Sequence, residues 1–202
     1  MSMTSRAFHH GNLRAALLDE AIVVLRESGV DGLSLRDLAR RAGVSHGAPR
    51  SHFVDRQALL DALAELGFER LTGVVRRALD AGGDVPERFR RVARAYVDFG
   101  VDDAALMELM FQAKVAGRPG GVHGAAMTLF ATLDGAVGPI LVDGPADDSR
   151  ETFKMLFAAT MQGIAALVAS GRLERAHGDR LVDAGMDALL RSDLGARAVT
   201  AR

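Results

Sequence analysis

The sequence predicts an all-α protein, and three features indicate this class. Apolar residues recur at the three- and four-residue spacing of an amphipathic helix along nearly the whole chain. The strict alternation of apolar and polar residues that is typical of strands does not stand out anywhere. Glycine, serine and aspartate lie where the periodic segments begin and end. We therefore expect helices joined by turns.

The N-terminal part predicts two helices before residue 43. The apolar stripe of the first ends at Ser28 and Gly29. Ser34 then starts a helix of two turns, in which Asp37 is the reciprocal acid of a capping box and Gly43 is the stop. We expect the core of this unit to form around Leu17, Ile22, Leu38, Val44 and Phe53.

The next stretch, "GVSHGAPRSHF" (43–53), predicts a short third helix with an irregular start. Gly47 and Pro49 are poor helix formers, and Pro49 is tolerable only in a first turn. The helix should therefore begin nearer His46–Pro49 than Ser45. Asp55 reads as the N-cap of a long fourth helix that runs towards residue 79.

A two-turn helix, a turn containing glycine and a short polar helix form the layout of a helix-turn-helix, whose second helix enters the DNA major groove. His46 and Arg50 lie at i and i+4 on one face. Arginine can bind guanine through two hydrogen bonds, and histidine can reach a base or a phosphate. A solvated polar face is the alternative. Residues 1–60 carry a net charge of +2, a small lean in favour of DNA.

The segment "SLRDLARRAGVSHGAPRSHFVDRQALL" resembles the DNA-binding segment of TetR-type transcriptional regulators. The resemblance covers roughly residues 13–65. It implies an all-α chain with an N-terminal three-helix DNA-binding domain and a C-terminal helical domain for ligand binding and dimerisation. The matching residues are Leu38, Ala39, Ala42, Gly43, Val44, Ser45, Gly47, His52, Phe53 and Leu59.

The resemblance places the DNA-binding domain at residues 1–60, with the helix-turn-helix motif at about 34–53, and the ligand-binding and dimerisation domain at 61–202. Double-stranded DNA is the expected partner of the first domain. The predicted DNA contacts are Ser34, Arg36, Ser45, His46, Gly47, Arg50, Ser51, His52 and Arg56.

Two departures from the family pattern concern arginines. Arg50 replaces a tyrosine that commonly contacts phosphate; it can keep that contact or read a guanine, and it can also mark weakened binding. Arg56 replaces a lysine and keeps positive charge at a helix N-terminus. "FHHGNLRAALL" and Pro49 further resemble a subgroup with a "WHG" motif, which would fall on residues 161–163, where only the glycine matches.

Beyond residue 85 we expect helices at about 86–101, 103–116, 122–137, 149–170 and 178–191, with loops at 117–121 and 138–148 and a frayed tail at 195–202. The last two long helices should pair with their copies in a homodimer. Tyr96, Gln112, Thr160 and Gln162 could supply polar groups to a pocket for a small apolar or aromatic effector.

The predicted pocket residues are methionines and phenylalanines, which adapt to varied ligands but are also common in plain cores. Both interpretations stay open at this point. The candidates are Phe99, Met107, Met110, Phe111, Met127, Phe130, Phe157 and Met161.

Composition excludes several other classes. The chain has 202 residues, a net charge of -1 and no cysteine, which excludes disulfides and thiolate chemistry. We expect a cytoplasmic protein without a membrane partner, because no signal-peptide core or long apolar run is present. His9 and His10 lack a carboxylate or cysteine partner, so we predict no metal site. We likewise predict no catalytic residues, no enzymatic activity and no cofactor.

Two functions therefore remain. The first is a transcriptional repressor that a small apolar or aromatic molecule releases from a palindromic operator. The second is a small-molecule sensor or interaction protein whose reading of DNA is weakened; the arginine at position 50 and the small positive lean motivate it.

Overall fold

The computed structural model describes residues 13–115, 120–137 and 148–199, and every regular element in those residues is a helix, which confirms the all-α class. The predicted loops lie largely outside these residues, as do His9, His10 and residues 200–202. Two short 3-10 helices occur, Val30–Gly32 and Ala48–Ser51. The α-helices are α1 (Leu13–Ser28), α2 (Leu35–Arg41), α3 (Arg56–Asp80), α4 (Val85–Asp102), α5 (Ala104–Val115), α6 (Gly121–Val137), α7 (Ser149–Ala169), α8 (Arg175–Arg191) and α9 (Asp193–Val199).

Residues 13–55, which we call the head, enclose the N-terminal part of the apolar core together with the first turns of α3. Leu17, Ile22, Leu38 and Phe53 are buried there, as predicted, and Val44 is half-buried against them. The remaining residues, 56–199, form the body. Because α3 runs through the predicted domain boundary at 60 and 61, that division remains a prediction.

Side-chain caps begin two of the helices at the predicted positions. The Ser34 hydroxyl accepts a hydrogen bond from the Asp37 N–H at 3.1 Å, and the Asp55 carboxylate accepts one from the Ala58 N–H at 2.8 Å. The reciprocal half of the capping box at Asp37 is wrong. Its carboxylate instead accepts from Arg40 at 2.6 Å, because aspartate is one methylene shorter than the glutamate that usually reaches back.

In the body, α3 contacts α4, α5 and α6, while α4 also packs against α7 and α8. The Phe89 ring meets the rings of Phe153 and Phe157 edge to face, with centroids 5.5 and 5.8 Å apart. Glycine allows close approach at one crossing, since a Cβ atom on Gly67 of α3 would lie 2.6 Å from the sulfur of Met110 in α5. The body is therefore tightly packed around α3 and α5.

The C-terminal end differs from the prediction. Helix α8 begins three residues earlier than expected, at Arg175. Residues 195–199 are not frayed but belong to α9, which packs on α7 and buries Ala198. A Cβ atom on Gly195 would lie 2.1 Å from the Leu189 carbonyl oxygen, so only glycine fits this return of the chain onto α8. The order of this segment comes from tertiary packing.

Candidate nucleic-acid interface and effector site

The turn between α2 and the second element of the motif has a defined hydrogen-bonding pattern. Gly43 adopts a left-handed conformation with φ of 66°. The Val44 N–H donates to the Ala39 carbonyl at 3.0 Å, and the Gly43 N–H donates to the Arg40 carbonyl at 3.2 Å. These two bonds make a Schellman motif, which ends the helix and turns the chain, with the half-buried Val44 as its apolar contact.

The second element is a 3-10 helix of four residues, Ala48–Ser51, rather than the α-helical element that a helix-turn-helix usually carries. Its late start confirms the sequence prediction. The N–H groups of Ala48 and Arg50 donate to the Ser45 and Gly47 carbonyls, at 3.0 and 3.1 Å. Pro49 has no N–H to extend an α-helical ladder, and its ring is buried. The second element of the motif is therefore short, and its buried Pro49 holds it against the core.

Burial separates the two sides of this element. Pro49 and Phe53 turn inward, whereas the polar side chains of the segment face solvent. The exposed residues of the prediction are Ser34, Arg36, Ser45, His46, Gly47, Arg50, Ser51, His52 and Arg56. The structure thus places all nine on the surface of the head or at the start of α3; contact with DNA stays a prediction.

The arginines of the head differ in their partners. Arg40 and Arg41 pair with Asp37, and their guanidinium groups hold the pKa of the Asp37 carboxyl below its usual range. Within the part of the chain that the structure describes, Arg36 and Arg50 form no ion pair. These two arginines therefore keep their donors available for an external anion or a base edge.

Arg56 has an internal role that the sequence did not reveal. Its Nε donates to the Leu33 carbonyl at 3.0 Å, and its Nη2 donates to the Val30 carbonyl at 2.5 Å. The side chain thereby ties the start of α3 to the turn that precedes α2. These partners lie 23 and 26 residues away, so no local pattern announces them.

The eight predicted effector-pocket residues separate into two groups. Met107, Met110, Phe157 and Met161 are buried in the core of the body. The other four are more accessible. Phe99 lines a cleft of about 480 Å³, and Met127 is exposed. Phe111 packs edge-on against Phe68, and the Phe130 ring lies under the Lys114 ammonium. Four of the candidates therefore lie in the core, three (Phe99, Phe111 and Phe130) are half-buried, and Met127 is exposed.

A cleft of about 440 Å³ between α3 and α6 was missed by the sequence reasoning. Glu65, Glu69 and Arg76 line one wall, and the small residues Gly121 and Gly124 face them. The glutamates recur every four residues on α3 and the small residues every three or four on α6, so the spacing was visible in the sequence. The cleft is open and charged, unlike the apolar pocket that was expected.

The predicted polar groups of the pocket form one part-buried contact. The Tyr96 hydroxyl donates to the Gln162 side-chain oxygen at 2.9 Å between α4 and α7, and burial raises the pKa of Tyr96, so the phenol stays protonated. Gln112 and Thr160 instead bond within their own helices, to Glu108 and to the Leu156 carbonyl. Of the four predicted polar groups, Tyr96 and Gln162 are therefore the two that bond to each other between helices.

Helices α7 and α8 expose several large apolar side chains. Met155, Leu156 and Leu167 of α7 and Leu181 of α8 are exposed. Among the described helices, α7 alone is long and apolar enough to span a membrane, with an 18-residue window of mean hydropathy 1.4, of which 28% is buried. Large exposed apolar patches are common at interaction sites, so these residues are candidates for one.

Comparison with protein families gives two matches that together cover most of the chain. Residues 17–63 match the family described as bacterial regulatory proteins of the tetR family. Residues 89–191 match the family described as the tetracyclin repressor-like C-terminal domain.

Curated relatives resemble this chain mainly at the N-terminus. The class A tetracycline repressor of transposon 1721 from Escherichia coli is 56% identical over 45 residues, 22% of this chain and 21% of that protein. The nicotine-responsive repressor HdnoR of Paenarthrobacter nicotinovorans is 27% identical over 130 residues, 64% and 67% of the two chains. The repressor LfrR of Mycolicibacterium smegmatis is 32% identical over 101 residues, 48% and 52% of the two. Thus the chain spans about a fifth of the tetracycline repressor and about half of LfrR.

Solved structures match nearly the whole chain. A protein of unknown function from Rhodococcus sp. RHA1 is 43% identical, with a TM-score of 0.75 over 93% of this chain and 98% of that one. The LfrR structure from Mycobacterium smegmatis in complex with proflavine has a TM-score of 0.58 at 24% identity, over 88% and 94% of the two chains, and supports the fold. The relatives that carry a functional name are regulators rather than enzymes.

Proposed function

Because the chain belongs to the TetR family of bacterial regulatory proteins, we propose that it is a cytoplasmic transcriptional repressor released from a palindromic operator by a small apolar or aromatic molecule. The observation that carries the proposal is the head geometry. A Schellman turn and a four-residue 3-10 helix present His46 and Arg50 to solvent, while Pro49 and Phe53 hold the element on the core.

The exposed polar residues around the 3-10 helix recognise the operator sequence in this proposal. In this proposal Arg50, which forms no ion pair within the described residues, binds guanine O6 and N7 in the major groove. His46 precedes it by four residues on the same exposed segment. Arg36 and Ser34, at the start of α2, are available for backbone phosphates near a helix N-terminus.

A homodimer supplies the second half-site contact. The exposed apolar residues of α7 and α8 are available to contact a second copy of the chain, and pairing of two copies by the same residues gives twofold symmetry. A twofold dimer presents two heads to a palindromic site about one helical turn apart or a multiple of that distance. No membrane is needed to cover α7 in this arrangement.

The relatives support an aromatic effector. HdnoR is named as nicotine-responsive, and LfrR was solved in complex with proflavine. Effector binding in the body acts on DNA binding only if the effector prefers one of two arrangements of the chain. The expected site involves the helices around Tyr96 and Gln162, whose part-buried hydrogen bond can orient a polar group of an aromatic ligand.

The test is binding to DNA from upstream of the chain's own gene, measured by fluorescence anisotropy at two salt concentrations. A repressor of this design binds one fragment well above scrambled DNA, and its affinity falls as salt rises. Proflavine serves as the first effector probe because its own fluorescence reports binding. Reciprocity requires proflavine to weaken DNA binding by the factor by which DNA weakens proflavine binding.

The second candidate is a small-molecule sensor with weakened reading of DNA. The four-residue 3-10 helix favours it, since it presents fewer side chains to a groove than an α-helix of two turns. In that case the anisotropy measurement shows equal, weak binding to upstream and scrambled fragments, while proflavine or a related aromatic compound still binds the body.

A further inference from the structure

An ion pair joins the head to the body through residues that are far in sequence from the covalent connection at Asp55 and Arg56. Nε of Arg26, in the last turn of α1, donates to Oδ1 of Asp103 at 2.7 Å. The Asp103 side chain is only 11% exposed, so salt screens this pair less than a pair fully in water. The two residues are 77 positions apart, so the contact exists only while the head holds its position on the body.

Asp103 occupies the corner between α4 and α5. Its N–H donates to the Phe99 carbonyl at 2.9 Å and ends α4. Its carbonyl accepts from the Met107 N–H at 2.9 Å and begins the hydrogen bonding of α5. A rotation of α4 or a shift of α5 therefore moves the carboxylate that Arg26 binds.

Helix α5 is in turn sensitive to the packing of the body. Met110 lies against Gly67 of α3, and the methyl group of Met107 lies against Gly100 of α4. Methionine side chains adapt to changes in shape, and the close glycine contacts transmit displacement to the neighbouring backbone. A change in the core around α5 thus reaches the corner at Asp103.

On the head side, the last turn of α1 is bound to α2. Nη2 of Arg41 donates to Oε2 of Glu27 at 2.8 Å, and Nε of Arg41 donates to Oδ2 of Asp37 at 3.2 Å. Glu27 is the neighbour of Arg26 in sequence. Two contacts therefore connect the α4–α5 corner to the first helix of the DNA-binding motif through one turn of α1.

We infer that Arg26 and Asp103 are positioning residues that couple the α4–α5 corner of the body to the orientation of the DNA-binding head. The inference rests on the proposed function, since it concerns how the body controls the head. Helix α3 supplies the covalent link, and a second ion pair, between Asp19 and Arg70, lies alongside it at 3.0 Å. The Arg26–Asp103 pair anchors the last turn of α1, about two turns beyond Asp19, so the head loses less freedom when it binds DNA.

The experiment compares Arg26→Gln, Asp103→Asn and the double variant in the full chain. Asparagine has nearly the same shape as aspartate, and the backbone hydrogen bonds of residue 103 do not involve the side chain, so Asp103→Asn isolates the loss of charge. Operator affinity, measured by anisotropy, should fall about two- to thirtyfold in each single variant. The double variant should be no worse than the worse single, because both substitutions remove the same interaction.

The matched control is Lys154→Gln. Lys154 pairs with Asp134 between α7 and α6, also at 2.7 Å, and its side chain is 14% exposed. This pair lies within the body, so its loss should lower thermal stability without changing operator affinity. A fall in affinity as large as that of Arg26→Gln would show a general effect of destabilisation and overturn the inference.

A second readout separates positioning from stability. The chain has no cysteine, so a spin label at Val54→Cys, an exposed site in the head, reports the distance between the two heads of a dimer. Arg26→Gln and Asp103→Asn should broaden or shift that distance distribution in the absence of DNA, and Lys154→Gln should not. Unchanged affinity and unchanged distances, or additive effects in the double variant, would overturn the inference.

Failure of the proposed function gives a different result. A wild-type chain that does not distinguish upstream from scrambled DNA contradicts the repressor, and the spin-label distances then decide the coupling alone. If the Val54→Cys spin labels show no distance between two chains, the homodimer is contradicted. In that case a second label at Arg172→Cys, which is exposed in the turn after α7, gives the head-to-body distance within one chain, and an unchanged distribution overturns the coupling.

Discussion

Arg50 carries the clearest prediction at the scale of single residues. It is exposed on the 3-10 helix and makes no ion pair within the described residues. If it binds a guanine, Arg50→Ala should cost ~1–3 kcal/mol of operator binding and relax the preference at one base pair per half-site. Anisotropy on the operator and on single-base variants measures both effects. The exposed Arg172, far from the head in sequence, supplies the control Arg172→Ala.

Other outcomes for Arg50 have distinct signatures. A phosphate contact gives an equal loss on all sequences, and the slope of log affinity against log salt falls by about 0.9 per contact. A variant with unchanged affinity and unchanged sequence preference contradicts both roles and favours the sensor with weakened reading.

The Arg56→Ala variant should behave differently from Arg50→Ala. The Arg56 guanidinium already donates hydrogen bonds to the Leu33 and Val30 carbonyls. Arg56→Ala should lower the unfolding temperature and weaken binding equally on operator and scrambled DNA, since the whole head is less well positioned. Hydrogen bonds from charged donors contribute about 1.5–3 kcal/mol when they are well formed, and partial exposure places Arg56 at the low end. Thermal unfolding and the salt slope, measured together, separate the two roles: an unchanged melting temperature with a reduced slope is the result for a phosphate contact alone.

At the scale of elements, Phe53 fixes the 3-10 helix on the core. Its ring is buried, and the Arg14 guanidinium lies 5.6 Å from the ring centroid. Phe53→Ala should destabilise the head by about 3–5 kcal/mol, because a buried ring leaves a cavity. The adjacent Val54 is 79% exposed, so Val54→Ala is the matched control. Denaturant unfolding followed by circular dichroism measures both variants, and equal midpoints for the two would show that the Phe53 contact stabilises nothing.

The elements also show which features a sequence can predict. Ser34 and Asp55 were recognised as caps because their partners lie three residues away. The bonds of Arg56 and the Arg26–Asp103 pair were not, because partners 23 to 77 residues apart depend on the folded chain. Helix α9 was missed since its seven residues carry a weak local signal and are stabilised by packing on α7. The motif was visible in its glycines, but the 3-10 form of its second element was not, because proline is also tolerated in the first turn of an α-helix.

Apolar sequence patterns also do not identify which residues line the effector site. A methionine or phenylalanine at helical spacing has the same sequence signature whether it fills a core or lines a cavity. In the structure, Met110 and Met161 are buried. The cleft between α3 and α6 depends on which faces of the two helices meet, which spacing alone does not specify. Periodicity therefore predicted the helices of the body more accurately than it predicted their free space.

The whole molecule is expected to act as a dimer through α7 and α8. Leu156 and Leu167 are 44% and 40% exposed on α7, so Leu156→Glu combined with Leu167→Glu places two charges in the proposed interface. Sedimentation should then give a monomer at micromolar concentration, and operator affinity should fall because one chain reaches one half-site. Val115→Glu, at an exposed valine of α5, is the control. A double variant that still sediments as a dimer contradicts the interface.

The short 3-10 helix sets a limit on how much information the protein can take from a base sequence. Four residues at a rise of about 2.0 Å span about 8 Å, which is the length of about two to three base pairs. Two copies read about five base pairs, or about ten bits, since each fully specified base pair carries about two bits. Selecting one site among about a million requires about twenty bits. About half of the discrimination must therefore come from residues outside the 3-10 helix, such as His46, and from the shape and stiffness of DNA around the contacted bases, and substitutions at untouched operator positions should change affinity as well.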